Sequence, residues 1–226
     1  MFPIRYRTVV SERQVQRTSG KRTASRLTAD DWTSAALTAM AGGGLAAVAV
    51  EPLAARLGAT KGSFYSHFAN RDAQIEAAVL RWERDHTDAV IGHIDAEPDP
   101  LARLRLLIGL VLDSTVLQDD GSIELAMLAT ADHPHVAPVL ARVTERRVAY
   151  TAGLFAALGW PAEEARRRGL LTVTAYLGYA QMAHVAPGAL PTAKAERHRY
   201  VDQVVRLLTA NDVEDRGKKA LRGGAG

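Results

Sequence analysis

The sequence predicts an all-α protein. Almost no stretch alternates apolar and polar residues over the length of a strand, and alanine, leucine and arginine, which favour helix, dominate the composition. With 226 residues, of which 47% are hydrophobic, the chain can bury a substantial core. We therefore expect an N-terminal head of three helices, followed by an antiparallel domain of longer helices.

The first helix should begin after Thr28. Thr28 and Asp31 have the spacing of the N-cap and N3 residues of a capping box, with Asp in place of Glu or Gln. Leu27 and Trp32 have the spacing of a hydrophobic staple, which fixes how the chain enters a helix. Apolar residues then recur at helical spacing until three consecutive glycines, 42–44, end the helix.

Two short helices follow, joined by a turn that contains glycine. The first spans 50–57, and the turn is Gly58-Ala59-Thr60. Thr60 can cap the second helix, which should run over about 61–67. Two helices joined in this way form a helix-turn-helix, whose second helix enters the major groove in many DNA-binding proteins. Taken alone this signal is weak, because many helical proteins contain such a pair.

The outer face of the second short helix carries groups that suit DNA. Leu53, Leu57 and Phe64 can pack inside the motif. The residues left for the outer face are Lys61, Gly62, Ser63, Tyr65 and His67. Lys61 and Ser63 can reach base edges, whereas the two aromatic side chains can hydrogen-bond to phosphates. Gly62 has no side chain, so the start of the helix can approach DNA closely.

A fourth helix and five longer helices should complete the fold. Asn70 can cap a helix that begins at Arg71 and runs toward Ile94, and the two prolines in 97–100 break the chain after it. The later helices are expected at about 100–118, 122–132, 134–158, 161–186 and 192–210. The last two are apolar on more than one face, which predicts burial against a second copy of the chain. The alternative is that they only cover the core of a single chain.

Composition excludes several classes of function. The chain has no cysteine, which removes disulfides, zinc fingers, iron–sulfur clusters and thiol nucleophiles. No apolar run approaches the roughly 18 residues of a membrane span, and the N-terminus lacks the apolar stretch of a signal peptide, so we expect a cytoplasmic protein without a membrane partner. Asp132-His133-Pro134-His135 is better explained as a loop than as a metal site. We expect no metal, no cofactor and no catalytic residue.

Charge is unevenly distributed along the chain. Residues 1–27 hold seven basic residues and one acidic residue, whereas the whole chain has a net charge of +3. A flexible basic arm on a mildly acidic body suggests a polyanionic partner, and we include its Arg22 and Arg26 among the candidate DNA contacts. The alternative is a tail that only aids solubility. Residues 211–226 are charged and rich in glycine, and should form a flexible C-terminal tail.

The block from Trp32 to Ile75 closely resembles the DNA-binding domain of the TetR family of transcriptional regulators. The resemblance rests on the first helix, on 58–68 with its Phe-Tyr-x-His-Phe cluster, and on 70–73. It implies a homodimer that binds an operator in double-stranded DNA and responds to a small-molecule effector. The DNA-binding head would be 28–75, and the ligand-binding and dimerisation domain 76–210. Most members of the family repress transcription, and none of these roles is enzymatic.

The resemblance and the residue pattern together give the candidate sites. The expected DNA contacts are Thr28, Thr60, Lys61, Gly62, Ser63, Tyr65, His67, Arg71, Arg22 and Arg26. The candidate pocket residues are Tyr150, Phe155, Tyr176, Tyr179 and Met182. Ala49 stands where the family commonly has Thr or Ser, and Arg71 where it usually has Lys. The head has three basic and four acidic residues, so the arm is expected to supply part of the affinity. The alternative function is a helical enzyme or scaffold with a fortuitous helix-turn-helix.

Overall fold

The structure is a computed structural model that describes residues 27–117 and 120–210. These residues form helices joined by turns, and no strand occurs among them. The predicted all-α class is therefore confirmed. The predicted basic arm, including Arg22 and Arg26, and the predicted C-terminal tail 211–226 lie outside the described residues.

The described helices are consecutive and mostly short near the N-terminus. They are α1 Ala29–Gly43, α2 Val50–Leu57, α3 Lys61–Tyr65, α4 Arg71–Glu83, α5 Ala89–Ile94, α6 Pro100–Leu117, α7 Asp120–Ala129, α8 Ala137–Ala157, α9 Ala162–Val185 and α10 Lys194–Thr209. A π-helical turn, Arg84–Asp88, joins α4 to α5, and the backbone stays helical through it. Two 3-10 turns, Leu45–Ala47 and Pro187–Ala189, precede α2 and α10.

Local capping signals set the starts of the head helices. The Thr28 hydroxyl accepts a hydrogen bond from the Asp31 N–H at 3.2 Å, and the Asp31 carboxylate accepts one from the Thr28 N–H at 2.8 Å, so the capping box forms in both directions. The Asn70 side chain caps α4 through the Ala73 N–H at 2.8 Å. The predicted start of α1, both limits of α2 and the start of α4 are confirmed.

Several predicted limits differ from the structure, and α7, for example, spans Asp120–Ala129 rather than 122–132. Helix α3 ends at Tyr65 rather than near 67, because the His67 N–H bonds to the Phe64 carbonyl at 2.9 Å in a tighter turn. Helix α8 begins at Ala137 rather than 134, because 130–136 form turns and the proline in the first helical turn is Pro138.

The head shares its hydrophobic core with the domain behind it. Trp32 of α1, Phe64 of α3 and Trp82 of α4 are fully buried, and they belong to one cluster with Met127 of α7 and Val143 of α8. Helix α1 packs against both α4 and α7. The first three helices are therefore held to the body by apolar packing as well as by the chain itself.

A second core lies deeper in the body, between α6, α8, α9 and α10. Its fully or nearly fully buried members include Leu104, Leu154, Phe155 and Val205. Helices α8 and α9 cross closely at Gly169, where a Cβ atom would lie 2.8 Å from the Ala152 backbone nitrogen. The crossing therefore requires a residue without a side chain.

We expect Gly169→Ala to lower the free energy of unfolding by about 1–3 kcal/mol, because the added methyl group must push α8 and α9 apart. Gly153→Ala on α8 is the matched control, since a Cβ atom there meets nothing within 4 Å. An alanine in that open helical position should be neutral or stabilising by up to about 1 kcal/mol. Urea unfolding monitored by circular dichroism would measure both, and equal midpoints for the two variants would contradict the close crossing.

None of the helices in the described ranges is both long enough and apolar enough to cross a membrane.

Candidate functional site

The turn between α2 and α3 sets the angle of the helix-turn-helix. Gly58 ends α2 at φ 63°, in the left-handed region that favours glycine. The Thr60 hydroxyl then accepts a hydrogen bond from the Ser63 N–H at 3.2 Å and caps α3. The predicted role of Thr60 as a helix cap is confirmed, and its hydroxyl is already engaged within the protein.

Aromatic packing fixes which face of α3 points outward. The Phe64 ring is fully buried and meets the Trp32 ring edge-on, with centroids 5.4 Å apart. This anchor leaves Lys61, Gly62 and Tyr65 exposed, and the Tyr65 side chain is 59% exposed. Ser63 is half-buried on the same helix. The exposed face thus offers a cation, a phenol and a bare backbone segment to a ligand outside the protein.

The cation on this face already has a partner. Lys61 forms an exposed ion pair with Glu51 in the first turn of α2. The hydrogen bond and charge of this pair lower the pKa of Glu51 and raise that of Lys61. Because both groups are in water, the pair is weak and Lys61 can exchange Glu51 for a phosphate at little cost.

Two of the expected DNA contacts, Thr28 and His67, are less available to DNA than the sequence predicts. The Thr28 hydroxyl donates to the Asp31 carboxylate at 2.8 Å while it caps α1. His67 is half-buried, and its Nε2 atom is enclosed without a hydrogen-bond partner among the described residues. Its enclosed nitrogen faces away from water, so a phosphate could reach only the rest of the ring.

Arg71 acts as an internal brace. Its Nε donates to the Val48 carbonyl at 2.6 Å, and one Nη donates to the Leu45 carbonyl at 2.5 Å. These carbonyls belong to the 3-10 turn and the residue that follows it, just before α2. Arg71 therefore ties the start of α4 to the entry of α2 and positions the helix-turn-helix. Sequence reasoning assigned its charge to DNA and missed this role, because the contact spans more than 20 residues.

The run from α4 through the π turn to α5 connects the head with the body. On the head side, the buried Gln74 amide donates to the Trp32 carbonyl at 3.1 Å, and Arg81 forms an ion pair with Asp30. On the body side, Arg142 of α8 grips the Glu83 carboxylate with two hydrogen bonds of 2.8 and 2.5 Å. A displacement of this run would therefore change contacts with the head and contacts with the body.

A buried charge pair lies beside the π turn. Arg147 of α8 donates to the Glu124 carboxylate of α7 at 2.7 Å, and the Glu124 side chain is almost completely buried while that of Arg147 is mostly buried. The same guanidinium donates to the Thr87 hydroxyl at 3.1 Å and to the His86 carbonyl at 3.2 Å, both within the π turn. Arg147 also lies over the Trp82 ring, 5.3 Å from its centroid. It thus joins α4, the π turn, α7 and α8.

A cavity opens on the other side of this pair. It encloses about 800 Å³ of space not filled by atoms, part of it open to solvent, and it lies between the π turn and helices α5, α6, α8, α9 and α10. Aliphatic side chains form most of the wall, among them Val90, Ile108, Leu112 and Val204. Such apolar concave spaces with a few polar groups are the usual shape of small-molecule sites.

Three of the five candidate pocket residues line this cavity: Tyr150, Tyr176 and Tyr179. Phe155 lies instead in the second core, fully buried, because its face of α8 packs against neighbouring helices. Met182 is 40% exposed on the outer face of α9. His86 and Arg147 line the cavity without having been expected. Burial lowers the pKa of His86, which keeps its ring neutral near pH 7.

Comparison with known proteins agrees with this arrangement. Residues 33–78, which contain the helix-turn-helix, match the family described as "Bacterial regulatory proteins, tetR family". No curated protein matches the chain.

Solved structures with the same fold extend the likeness to most of the chain. A transcriptional regulator from Rhodococcus sp. RHA1 is 19% identical with a TM-score of 0.66, covering 80% of this chain and 96% of its own. A TetR-like transcriptional regulator from the same source is 15% identical with a TM-score of 0.63, covering 84% and 100%. A bacterial regulatory protein in the tetR family, also from Rhodococcus RHA1, is 18% identical with a TM-score of 0.59, covering 81% and 98%.

At these identities the structural neighbours establish the fold, and the match over 33–78 identifies the head. The alternative of a helical enzyme with a fortuitous helix-turn-helix is therefore set aside. Residues 33–78 therefore match the TetR family of bacterial regulatory proteins, and the described chain has the fold of solved transcriptional regulators.

Proposed function

We propose that this protein is a ligand-responsive repressor of the cytoplasm, which binds a palindromic operator as a homodimer and is released by a small molecule. One observation carries the proposal above all others. The run α4–π turn–α5 is bonded to the head through Gln74 and Arg81, and it forms part of the cavity wall through His86 and Val90. A ligand that displaces this wall has a direct mechanical route to the head.

The DNA surface in this proposal is the exposed face of α3. Tyr65 would donate its hydroxyl to a phosphate, Lys61 and Ser63 would reach base edges, and the backbone at Gly62 would approach closely. Thr28, Thr60 and Arg71 would act by positioning, since their polar groups are bonded within the head. The arm with Arg22 and Arg26 would add phosphate contacts and compensate for the low charge of the head.

The dimer in this proposal forms through the outer faces of α9 and α10. Large apolar side chains lie exposed there: Leu170, Leu171, Met182, Val185 and Leu207. Leu171, Gly178, Met182 and Val185 lie on one stripe of α9, where the bare Gly178 would let another helix approach. Large contiguous apolar patches are rare on the surface of monomeric proteins, and they usually mark a surface that binds a partner.

The release step would pass through Arg147. Its guanidinium touches the cavity and also bonds to the Thr87 hydroxyl and the His86 carbonyl of the π turn. A ligand that shifts Arg147 would therefore move the π turn and, through α4, the head. In a dimer the two heads would then lose the spacing of about 34 Å that matches successive major grooves.

A titration of operator DNA tests the DNA-binding half of the proposal. We expect the full chain to bind DNA from upstream of its own gene in a salt-dependent way, measured by fluorescence anisotropy, and to prefer it to a scrambled duplex. Lys61→Met should weaken binding and reduce the slope of log K against log salt by about one, because one phosphate or base contact of a cation is lost. Tyr65→Phe should weaken binding by several-fold through the loss of one hydrogen bond.

Lys194→Met is the matched control, since it removes the same charge from an exposed position at the start of α10. It should leave both affinity and salt slope unchanged. Equal affinity for the upstream and scrambled duplexes, or equal effects of the two lysine substitutions, would contradict a sequence-specific surface on α3.

A further inference from the structure

The cavity has no uncompensated charge among the lining residues that the structure describes. Arg147 is the one permanent cation of that wall, and Glu124 neutralises it at 2.7 Å. Its other donors bond to the Thr87 hydroxyl and the His86 carbonyl, and burial keeps the His86 ring neutral. A charged ligand would therefore lose its hydration without gaining a counter-ion.

Tyr179 contributes a buried hydroxyl to the wall that lacks a hydrogen-bond partner among the described residues. Its side chain is 5% exposed, and its hydroxyl is buried without a hydrogen bond to any described residue. The other two predicted tyrosines differ: the Tyr150 hydroxyl donates to Asp95 at 2.9 Å, and that of Tyr176 lies 3.4 Å from Glu124. Burial raises the pKa of Tyr179, so its hydroxyl stays protonated and can donate.

The surroundings of Tyr179 also favour an apolar ligand. Its ring stacks on Tyr200, with centroids 5.7 Å apart and planes inclined by 29°, and both rings line the cavity. The stacking holds the Tyr179 ring in place, so the hydroxyl cannot swing out to water without breaking it. The remaining wall near α10 is aliphatic, with Val204 and Leu208.

We propose that the cavity binds an uncharged, largely apolar molecule that carries a hydrogen-bond-accepting oxygen, and that the Tyr179 hydroxyl donates to this oxygen. This inference rests on the proposed ligand-responsive function, and it narrows the effector to neutral compounds. Acids and amines of the same size are disfavoured because Arg147 and Glu124 already neutralise each other.

Three matched bicyclic probes test the proposal by isothermal titration calorimetry on the full chain near pH 7. They are naphthalene, 2-acetylnaphthalene with a ketone oxygen, and 2-naphthoate with a carboxylate. We expect the ketone to bind about tenfold more tightly than naphthalene, which corresponds to one hydrogen bond in a buried site. The carboxylate should bind more weakly than the ketone.

Tyr179→Phe should abolish the preference for the ketone and leave naphthalene affinity unchanged. Tyr150→Phe is the matched control, because the Tyr150 hydroxyl already has a partner in Asp95, and it should keep the preference. Without ligand, Tyr179→Phe should melt at the same temperature or higher, since it removes a buried hydroxyl that has no partner. A purely structural role of that hydroxyl would lower the melting temperature instead.

Tighter binding of 2-naphthoate than of the ketone, or an unchanged ketone preference in Tyr179→Phe, would overturn the proposal. These titrations contain no DNA, so their result is independent of the operator titration. If the ketone does not bind but the operator does, the proposed ligand chemistry is wrong and the proposed DNA-binding function is unaffected. Ketone binding through Tyr179 with no operator binding supports the cavity chemistry and overturns the proposed repressor function.

Discussion

Leu171→Glu should convert a dimeric protein into a monomer and lower its operator affinity by roughly 100-fold or more. Leu171 is 56% exposed on the outer stripe of α9, together with Met182 and Val185. A carboxylate buried in an apolar interface would remain without a counter-ion, which is among the costliest changes at such a surface. Loss of the dimer removes the second half-site, and linked binding of two half-sites contributes about two to four orders of magnitude.

Sedimentation velocity would measure the state of association, and fluorescence anisotropy the operator affinity. Leu101→Glu is the control, because Leu101 is also an exposed leucine but lies at the start of α6, away from this stripe. It should leave the dimer and the affinity intact. A Leu171→Glu protein that stays dimeric would show that the chains meet elsewhere.

Arg147→Met should destabilise the protein by about 3–5 kcal/mol, because it leaves the buried Glu124 carboxylate without its partner. The loss includes the bonds to the π turn and the contact with the Trp82 ring. The double variant Arg147→Met with Glu124→Gln should recover a large part of that loss, since no unpaired charge then remains. Urea denaturation of the three proteins would give this comparison.

Arg146→Met provides the control for Arg147. Arg146 is the next residue on α8 and pairs with Asp88 at 2.6 Å, but about half of its side chain is in water. An exposed pair of this kind contributes about 0–1 kcal/mol. If both arginine variants lose the same free energy of unfolding, burial of the Arg147–Glu124 pair does not increase its contribution to stability.

The head was largely predictable from sequence because its signals are local. The Thr28–Asp31 capping box, the Thr60 cap and the Gly58 turn each depend on residues within a few positions, and each is present. The predicted end of α3 was wrong because the tight turn that closes at His67 carries no strong local signal. The role of Arg71 was missed because it bonds to backbone carbonyls far back in the chain, which no spacing rule reveals.

The cavity was predictable only in part. The spacing of the tyrosines correctly predicted part of one wall of the cavity. The packing of neighbouring helices decides which side chains face the cavity, and it places Phe155 in the second core instead. The Arg147–Glu124 pair was not expected, because its two residues are 23 positions apart in the sequence and lie on different helices. One signal was present: Glu124 is a lone carboxylate in the apolar segment 123–129, and such a group must find a partner if it is buried.

The π turn was also invisible in the sequence, because the apolar pattern from Ile75 toward Ile94 reads as one helix. Because the π turn contains one extra residue, each side chain after it points about 100° away from the direction that it would have if the same sequence continued as a regular α-helix. The head-facing side before Arg84 and the cavity-facing side after Asp88 are therefore out of phase by one residue. A one-residue deletion that closes this turn into a regular α-helix would leave Val90 and Ile91 facing the cavity, because the five residues of the π turn cover about the rotation of four α-helical residues. In alignments of related chains, a one-residue gap here is therefore compatible with the same contact between the cavity wall and the head.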